Sequence, residues 1–260
     1  MLGIAAIDTS SLAAAVSPPK IEGVWSFNGG QIAVVHTEEG TFEGKVVAET
    51  KFAECAHPVG QRIWSQMRLQ GNGSYTGLHQ WYFESASCTL NPTLGPTAWR
   101  VIQAEGGTHY LRACFSSPGG PQPTIALDGS SSGVTYGCVN SALIAPLPTS
   151  SVLSLKRLAT LPPNRFCLSR RSFEIHVRDP IHDPFKSITI TLAGHALKVT
   201  RTGQFSVATV DLRGLPRGAF TISVRATTVL GHVLAGHRTF HTCAKKRLRS
   251  VKHGHHKPGR

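Results

Sequence analysis

Residues Ala145–Phe166 read APLPTSSVLSLKRLATLPPNRF, and this stretch decides that the chain is built as two units. It carries prolines at both ends, Ser and Thr in the middle, and no aspartate or glutamate. The chemistry changes across it. Residues 1–150 hold 7 basic and 10 acidic residues, a net of −3, whereas residues 151–260 hold 20 and 4, a net of +16, which together give the chain its +13. A charge break of this size across a Pro/Ser-rich segment marks a domain boundary. The most helix-like piece of the chain, Ser151–Leu161 with Leu153, Leu155 and Leu158, lies inside this segment between prolines. The expected organisation is an N-terminal segment over 1–19, a first domain over 20–148, a linker over 149–163, a second domain over 164–243 and a basic tail over 244–260.

At 260 residues the chain is near the size where one core gives way to two. With 40% hydrophobic residues against 16% charged, a core can form, and 26 glycines and 16 prolines favour short strands and turns over long helices. Four cysteines, Cys55, Cys88, Cys114 and Cys138, precede the boundary, and Cys167 and Cys243 follow it. An even count in each half suits disulfides within domains, and the spacing matches no zinc pattern. This points to an oxidising compartment, with six buried thiols in a cytosolic protein as the alternative. Four cysteines allow three pairings. The sequential one, 55–88 with 114–138, is favoured, at roughly 3–4 kcal/mol per bridge by loop entropy. A 167–243 bridge would tie the ends of the second domain together.

The N-terminus, MLGIAAIDTSSLAAAVSPP, is apolar and ends in small residues, with Ala13 and Ala15 spaced as at a signal-peptidase site. It lacks a basic start, and Asp8 interrupts it, so a short disordered extension is the alternative. No later run reaches the ~18–20 apolar residues that span a bilayer as a helix. A secreted or cell-surface location is expected.

In the first half, alternation starts at Ile21-Glu22-Gly23-Val24-Trp25-Ser26-Phe27, and Asn28-Gly29-Gly30 signals a tight hairpin turn. Further strands are expected at Gln31–His36, Thr41–Ala48, Gln61–Leu69, Gly73–Phe83, Ala98–Ala104, His109–Phe115 and Val134–Cys138, most of them separated by glycine-bearing turns. About eight short strands joined in this way predict an all-β up-and-down barrel or a sandwich. The Gly23-Val24-Trp25 motif at the head of the first strand resembles the Gly-x-Trp opening of lipocalin-type (calycin) barrels. That resemblance covers roughly 120 residues. It implies a barrel whose base Trp25 closes against an arginine, here Arg100 or Arg112. The segment also looks like the N-terminal domain of exported proteins of high-GC Gram-positive bacteria, a likeness that implies no activity.

A barrel of eight strands either holds one small ligand or is filled by its own side chains. Trp64, Tyr75, Trp81, Phe83 and Trp99 are candidates for lining a pocket, and a filled core is the alternative reading. Alternation would put His79, Trp81 and Phe83 on one face, His79 as a hydrogen-bonded histidine rather than a ligand or base. The loop Ser116–Ser132 is read as a surface loop, with a mobile lid as the alternative.

The second half alternates more cleanly. Strands are expected at Ser172–Arg178, Ser187–Leu192, Ala196–Thr200, Phe205–Leu212, Ala219–Ala226, Val229–Leu234 and His237–Thr242, the signature of an immunoglobulin-like sandwich. The run Asp211-Leu212-Arg213-Gly214-Leu215-Pro216-Arg217-Gly218-Ala219-Phe220 resembles the strand–turn–strand motif of bacterial immunoglobulin-like modules from surface proteins. Pro216 pre-sets φ, Gly214 and Gly218 supply turn conformations, and Phe220 restarts the inward face. The tail AKKRLRSVKHGHHKPGR is too polar to fold. Basic tails attract polyanions, and for an exported protein anionic wall polymers or lipid headgroups are expected rather than nucleic acid. His253, His255 and His256 lack a folded frame for metal, and no metal or cofactor is expected.

No nucleophile elbow, zinc-protease motif or phosphate loop is present. The expectation is therefore an exported, non-catalytic protein. Its barrel would bind a small apolar ligand or partner, and its basic domain would associate with an anionic envelope. The alternatives are a purely structural protein with filled cores and a secreted hydrolase using Glu84 with His79.

Overall fold

The computed structural model describes residues 20–52, 55–83, 87–149, 153–164, 172–213 and 218–242. The chain divides into two compact units, 1–147 and 148–260, and both are built of strands. No described helix is long and apolar enough to cross a membrane.

The first unit is a closed eight-stranded antiparallel barrel. Its strands are β1 (Gly23–Phe27), β2 (Gly30–His36), β3 (Phe42–Ala48), β4 (Arg62–Leu69), β5 (Tyr75–His79), β6 (Gly95–Gln103), β7 (His109–Phe115) and β8 (Gly137–Ala145). Each strand pairs with the next, and β8 returns to β1, so the topology is up-and-down. The first hairpin turns on Asn28 and Gly29, at φ 44° and 81°. Two successive positive φ angles define the turn whose twist matches a hairpin, which is why Asn-Gly stands there.

Period-2 alternation sorts the wall. Trp99 and Val101 of β6, with Leu111, Ala113 and Phe115 of β7, enter the main core beside Trp25, Ile32, Trp64 and Met67. Ala98 and Ile102 of β6 and Cys114 of β7 face out, where Ile125 covers them. The Arg100 guanidinium is on this outer side too, donating to the carbonyls of Ile125 (3.0 Å) and Asn72. Arg112 donates to Asn140 Oδ1. Neither arginine is the partner of Trp25, which is buried in the main core and donates its indole N–H to the Ile21 carbonyl at 2.8 Å. The reason is the pleat: Trp99 inward forces Arg100 outward.

The loop after β7 is strapped to the outer wall. A ribbon of Thr124–Ile125 and Ser131–Ser132 buries Ile125, and Gln122 donates to the Thr97 carbonyl at 2.9 Å. The Cys114–Cys138 disulfide lies in the same outer layer, bridging paired residues of β7 and β8. The second disulfide, Cys55–Cys88, ties the small hairpin Thr50–Phe52/Cys55–His57 to the segment after β5. Both bridges follow the sequential pairing. Cys167 and Cys243 lie outside the described residues.

In the second unit the expected linker is partly structured. A helical turn α1 (Leu155–Leu158) leads into β9 (Ala159–Thr160), which pairs with β10 (Ser172–Arg178). Leu153, Leu155, Leu158 and Leu161 pack against the core of this unit, so these residues serve it as an edge strap. The remaining strands are β11 (Phe185–Leu192), β12 (His195–Ala196), β13 (Val199–Thr202), β14 (Phe205–Asp211), β15 (Ala219–Thr228) and β16 (Val233–His241). They form two four-stranded antiparallel sheets, in the orders β9-β10-β14-β13 and β12-β11-β15-β16. Ile175, Val177, Ala208 and Val210 of the first sheet share one buried cluster with Ile190, Ile222, Val224 and Phe240 of the second.

Two expectations are corrected here. The single return strand over 196–200 is two pieces in different sheets, β12 and β13. The two strands expected over 229–234 and 237–242 are one strand, β16, because the turn is at Gly231 (φ 93°) and Gly236 continues the ladder opposite Val224. Gly218 (φ 150°) opens β15, with its N–H donating to Thr242 Oγ1 at 3.0 Å, while Gly214 and Pro216 lie outside the described residues.

A buried carboxylate holds the β15–β16 turn. Asp183 is fully buried, accepts the Leu230 backbone N–H at 2.9 Å and meets His232 Nδ1 at 2.7 Å. Asp183→Ala strands both donors and is expected to cost about 1–3 kcal/mol. Urea denaturation followed by probes in the second unit checks this, and a loss under a few tenths of a kcal/mol would remove the clamp from the account.

Candidate functional site

The site is built at one end of the barrel, where the seam between β1 and β8 opens. These strands pair at Val24↔Ala145 and Trp25↔Leu143, and the Ala142 N–H then turns to Ser26 Oγ at 2.8 Å. In the gap beyond lies a cavity of about 220 Å³, lined by Phe27, Asn28, His79, Phe115, Tyr136, Gly137, Cys138 and Val139. An adjoining cleft of about 290 Å³ runs along Ser26–Gly30 and Val139–Ser141.

Below the cavity the side chains stack in layers. His79 ends β5 opposite Trp64 of β4, and Trp64 lies under Phe27 with ring centroids 5.3 Å apart. Trp64 in turn meets Trp99 at 5.5 Å. His79 packs against Phe115 at 4.8 Å and Trp81 at 5.5 Å. Space for this stack depends on two glycines. A Cβ on Gly44 would stand 2.7 Å from the Trp64 ring, and one on Gly95 would overlap the Trp81 indole nitrogen and the Ser116 carbonyl oxygen.

The sequence candidates are therefore split. Trp64 and Trp99 are fully buried in the barrel interior, beneath the cavity rather than around it. Trp81 is buried at its side, against Tyr136 at 4.7 Å. His79 forms part of the lining. Phe83 is 59% exposed and lines neither the cavity nor the adjoining cleft. Alternation cannot carry it inward, because β5 stops at His79 and the chain continues through an isolated bridge, Tyr82↔Leu90. Glu84 lies outside the described residues, and none of the residues lining the cavity is a carboxylate.

Sequence reasoning missed His57. It is fully buried, and its ring centroid is 6.2 Å from that of His79 and 4.8 Å from Tyr82. The only signal for it was its position two residues after Cys55, whose disulfide holds its hairpin against the chain that follows β5.

Burial sets the electrostatics. Desolvation, with a further contribution from His57, pushes the His79 pKa down to about 3, and desolvation also lowers that of His57 against the opposing hydrogen bond from Gln61. Both rings are thus neutral at neutral pH. Buried side-chain polar atoms with no hydrogen-bond partner include His57 Nε2, Trp64 Nε1 and Trp99 Nε1, all in the barrel. Among the described residues none occurs in the second unit. Groups of this kind are costly and call for a reason.

The second unit has its own opening of about 310 Å³ beside the strap, between Leu155, Lys156 and Leu161 and the strand residues Ile222, Val224, Gly236 and Arg238. Arg238 donates there to the Leu161 and Pro162 carbonyls, which fixes its guanidinium to the strap. Compared with known proteins, the chain matches no family model, no curated protein and no solved structure.

Proposed function

We propose that the chain is an exported, non-catalytic binding protein whose ligand site is the seam cavity at the end of the barrel. The observation that carries this reading is a neutral, buried imidazole, His79, set among Phe27, Phe115 and Tyr136 in the cavity wall of an otherwise filled barrel. A small, flat, uncharged molecule with one polar group suits such a lining. At about 220 Å³ the cavity is below the range of drug-sized pockets, which start at roughly 300 Å³. Two disulfides support export.

The second unit is read as immunoglobulin-like. Taking β9 to β16 in order as strands A, B, C, C′, D, E, F and G, its sheets run A-B-E-D and C′-C-F-G, the arrangement of that sandwich. With the net +16 of residues 151–260, it is the part that associates with an anionic envelope. Co-sedimentation of the full chain with vesicles containing anionic lipid is expected to fall steeply between low and high salt. Salt-independent sedimentation would contradict electrostatic attachment.

Native mass spectrometry of the full chain from an oxidising host tests the binding reading. A retained small-molecule adduct, lost on denaturation, is expected. The rival structural reading rests on the Trp25, Trp64, Trp99 and Met67 packing that fills the interior. A bare mass, with no adduct after incubation with small aromatic compounds, would favour it.

A further inference from the structure

We propose that His57 and His79 form a two-coordinate site for a soft monovalent cation, copper(I) by class, held between the two imidazole rings at the end of the barrel. His57 is held in one tautomer. Its Nδ1 lies 3.0 Å from Gln61 Oε1, an oxygen that carries no proton, so Nδ1 is the donor. The Tyr82 hydroxyl donates to the Ala56 carbonyl at 2.7 Å and stands 3.3 Å from the same Nδ1, presenting an oxygen lone pair to it. Both neighbours select the tautomer with the proton on Nδ1. The lone pair is then on Nε2, which is buried and has no hydrogen-bond partner. A ring nitrogen fixed by an outer oxygen, with its other nitrogen left as a free base, is the arrangement of a metal-ligating histidine.

The distance to His79 fits. Metal–imidazole bonds are roughly 2 Å, and a ring nitrogen lies roughly 1 Å from its centroid, so two rings on opposite sides of one ion have centroids roughly 6 Å apart. The observed separation is 6.2 Å.

The surroundings choose the ion. No group of three or more His, Cys, Asp or Glu residues is placed to hold a metal among the described residues, so the four-ligand demand of zinc is not met. Cys55 and Cys88 are in a disulfide and supply no thiolate. Among the described residues, the rings packed on the pair include those of Phe27, Trp81, Tyr82 and Phe115, all uncharged. Two neutral nitrogens in an apolar cage suit an ion of low charge and low coordination number, and imidazole is a good ligand for copper. His79 also lines the seam cavity, which gives the ion a way in. This site requires neither the small ligand proposed above nor the second unit.

The test uses the full chain with His253, His255 and His256 changed to Ala, so that the tail does not chelate. Ascorbate serves as reductant because it spares the disulfides. Copper(I) is titrated against a chromophoric chelator, and silver(I) is used as a closed-shell probe while imidazole nitrogen signals are followed by NMR. One equivalent is expected to bind, with the His57 and His79 signals shifting together and the other histidines unmoved. Gln61→Leu is expected to weaken binding roughly 10–100-fold, and His57→Phe to abolish it. Silver shifts confined to other histidines, or copper affinity unchanged in His57→Phe, would overturn the site. Should His57→Phe fail to fold, the NMR result on the chain that retains His57 decides alone.

Discussion

Trp99→Ala is expected to destabilise the barrel by about 3–5 kcal/mol. Trp99 is fully buried at the middle of β6, flanked in the ladders by Tyr75 and Ala113, and it supports Trp64, which in turn supports the floor of the seam cavity. A closed barrel resists collapse around a deleted side chain, because hydrogen-bonded ladders hold the wall on both sides of every strand. The cavity term should therefore be near its full value. Trp99→Phe tests the account more finely. It keeps most of the packing and removes an indole N–H that has no partner, so it should cost much less than its lost volume suggests. Urea denaturation reports both, with exposed Phe83→Ala as the control expected within about 0.5 kcal/mol. A loss under about 1 kcal/mol for Trp99→Ala would mean that the interior is not packed as described.

The second large effect is acid lability. His79 is held at a pKa of about 3 by burial, against an ordinary value of 6.5, and His57 is shifted in the same direction. Between these values the unfolded chain binds a proton at His79 that the folded barrel does not. Stability therefore rises with pH across this window. It is fully present above about pH 6.5 and is lost as the pH falls toward 3, at a limiting slope of about 1.4 kcal/mol per unit for one group. His79→Phe should flatten that slope, leaving the contribution of His57, which has the same sign. Denaturation midpoints measured at several pH values between 4 and 7 check the sign. A barrel that grows more stable as the pH falls in that range would contradict a neutral, buried His79.

The barrel was legible because its information is local. Alternation from Ile21 to Phe27, the Asn28-Gly29 turn and regularly spaced glycine turns specify a meander, and the choice between barrel and sandwich that they left open is decided by the pairing of β8 with β1. Trp64 and Trp99, read as pocket lining or as core, belong to the filled core. The site was less legible because its contacts are not local. Whether β5 runs on to Phe83 depends on where the chain leaves the wall, and the sequence around Trp81 is as strand-like as what precedes it. His57 lies in KFAECAHPVG, which has no periodicity, and it reaches His79 only through the Cys55–Cys88 bridge and barrel closure. The Trp25–arginine closure failed for a local reason that alternation already contained: a residue next to an inward Trp99 must face out.

The seam cavity is the central claim, and ring NMR of the isotope-labelled full chain tests it most directly. Phenol or indole is added as a small, flat, uncharged probe while the His79, Phe115 and Tyr136 ring signals are followed. Saturable shifts are expected at these three rings, with His79 remaining neutral throughout. Shifts that do not saturate, or that appear elsewhere while these rings stay still, would contradict it.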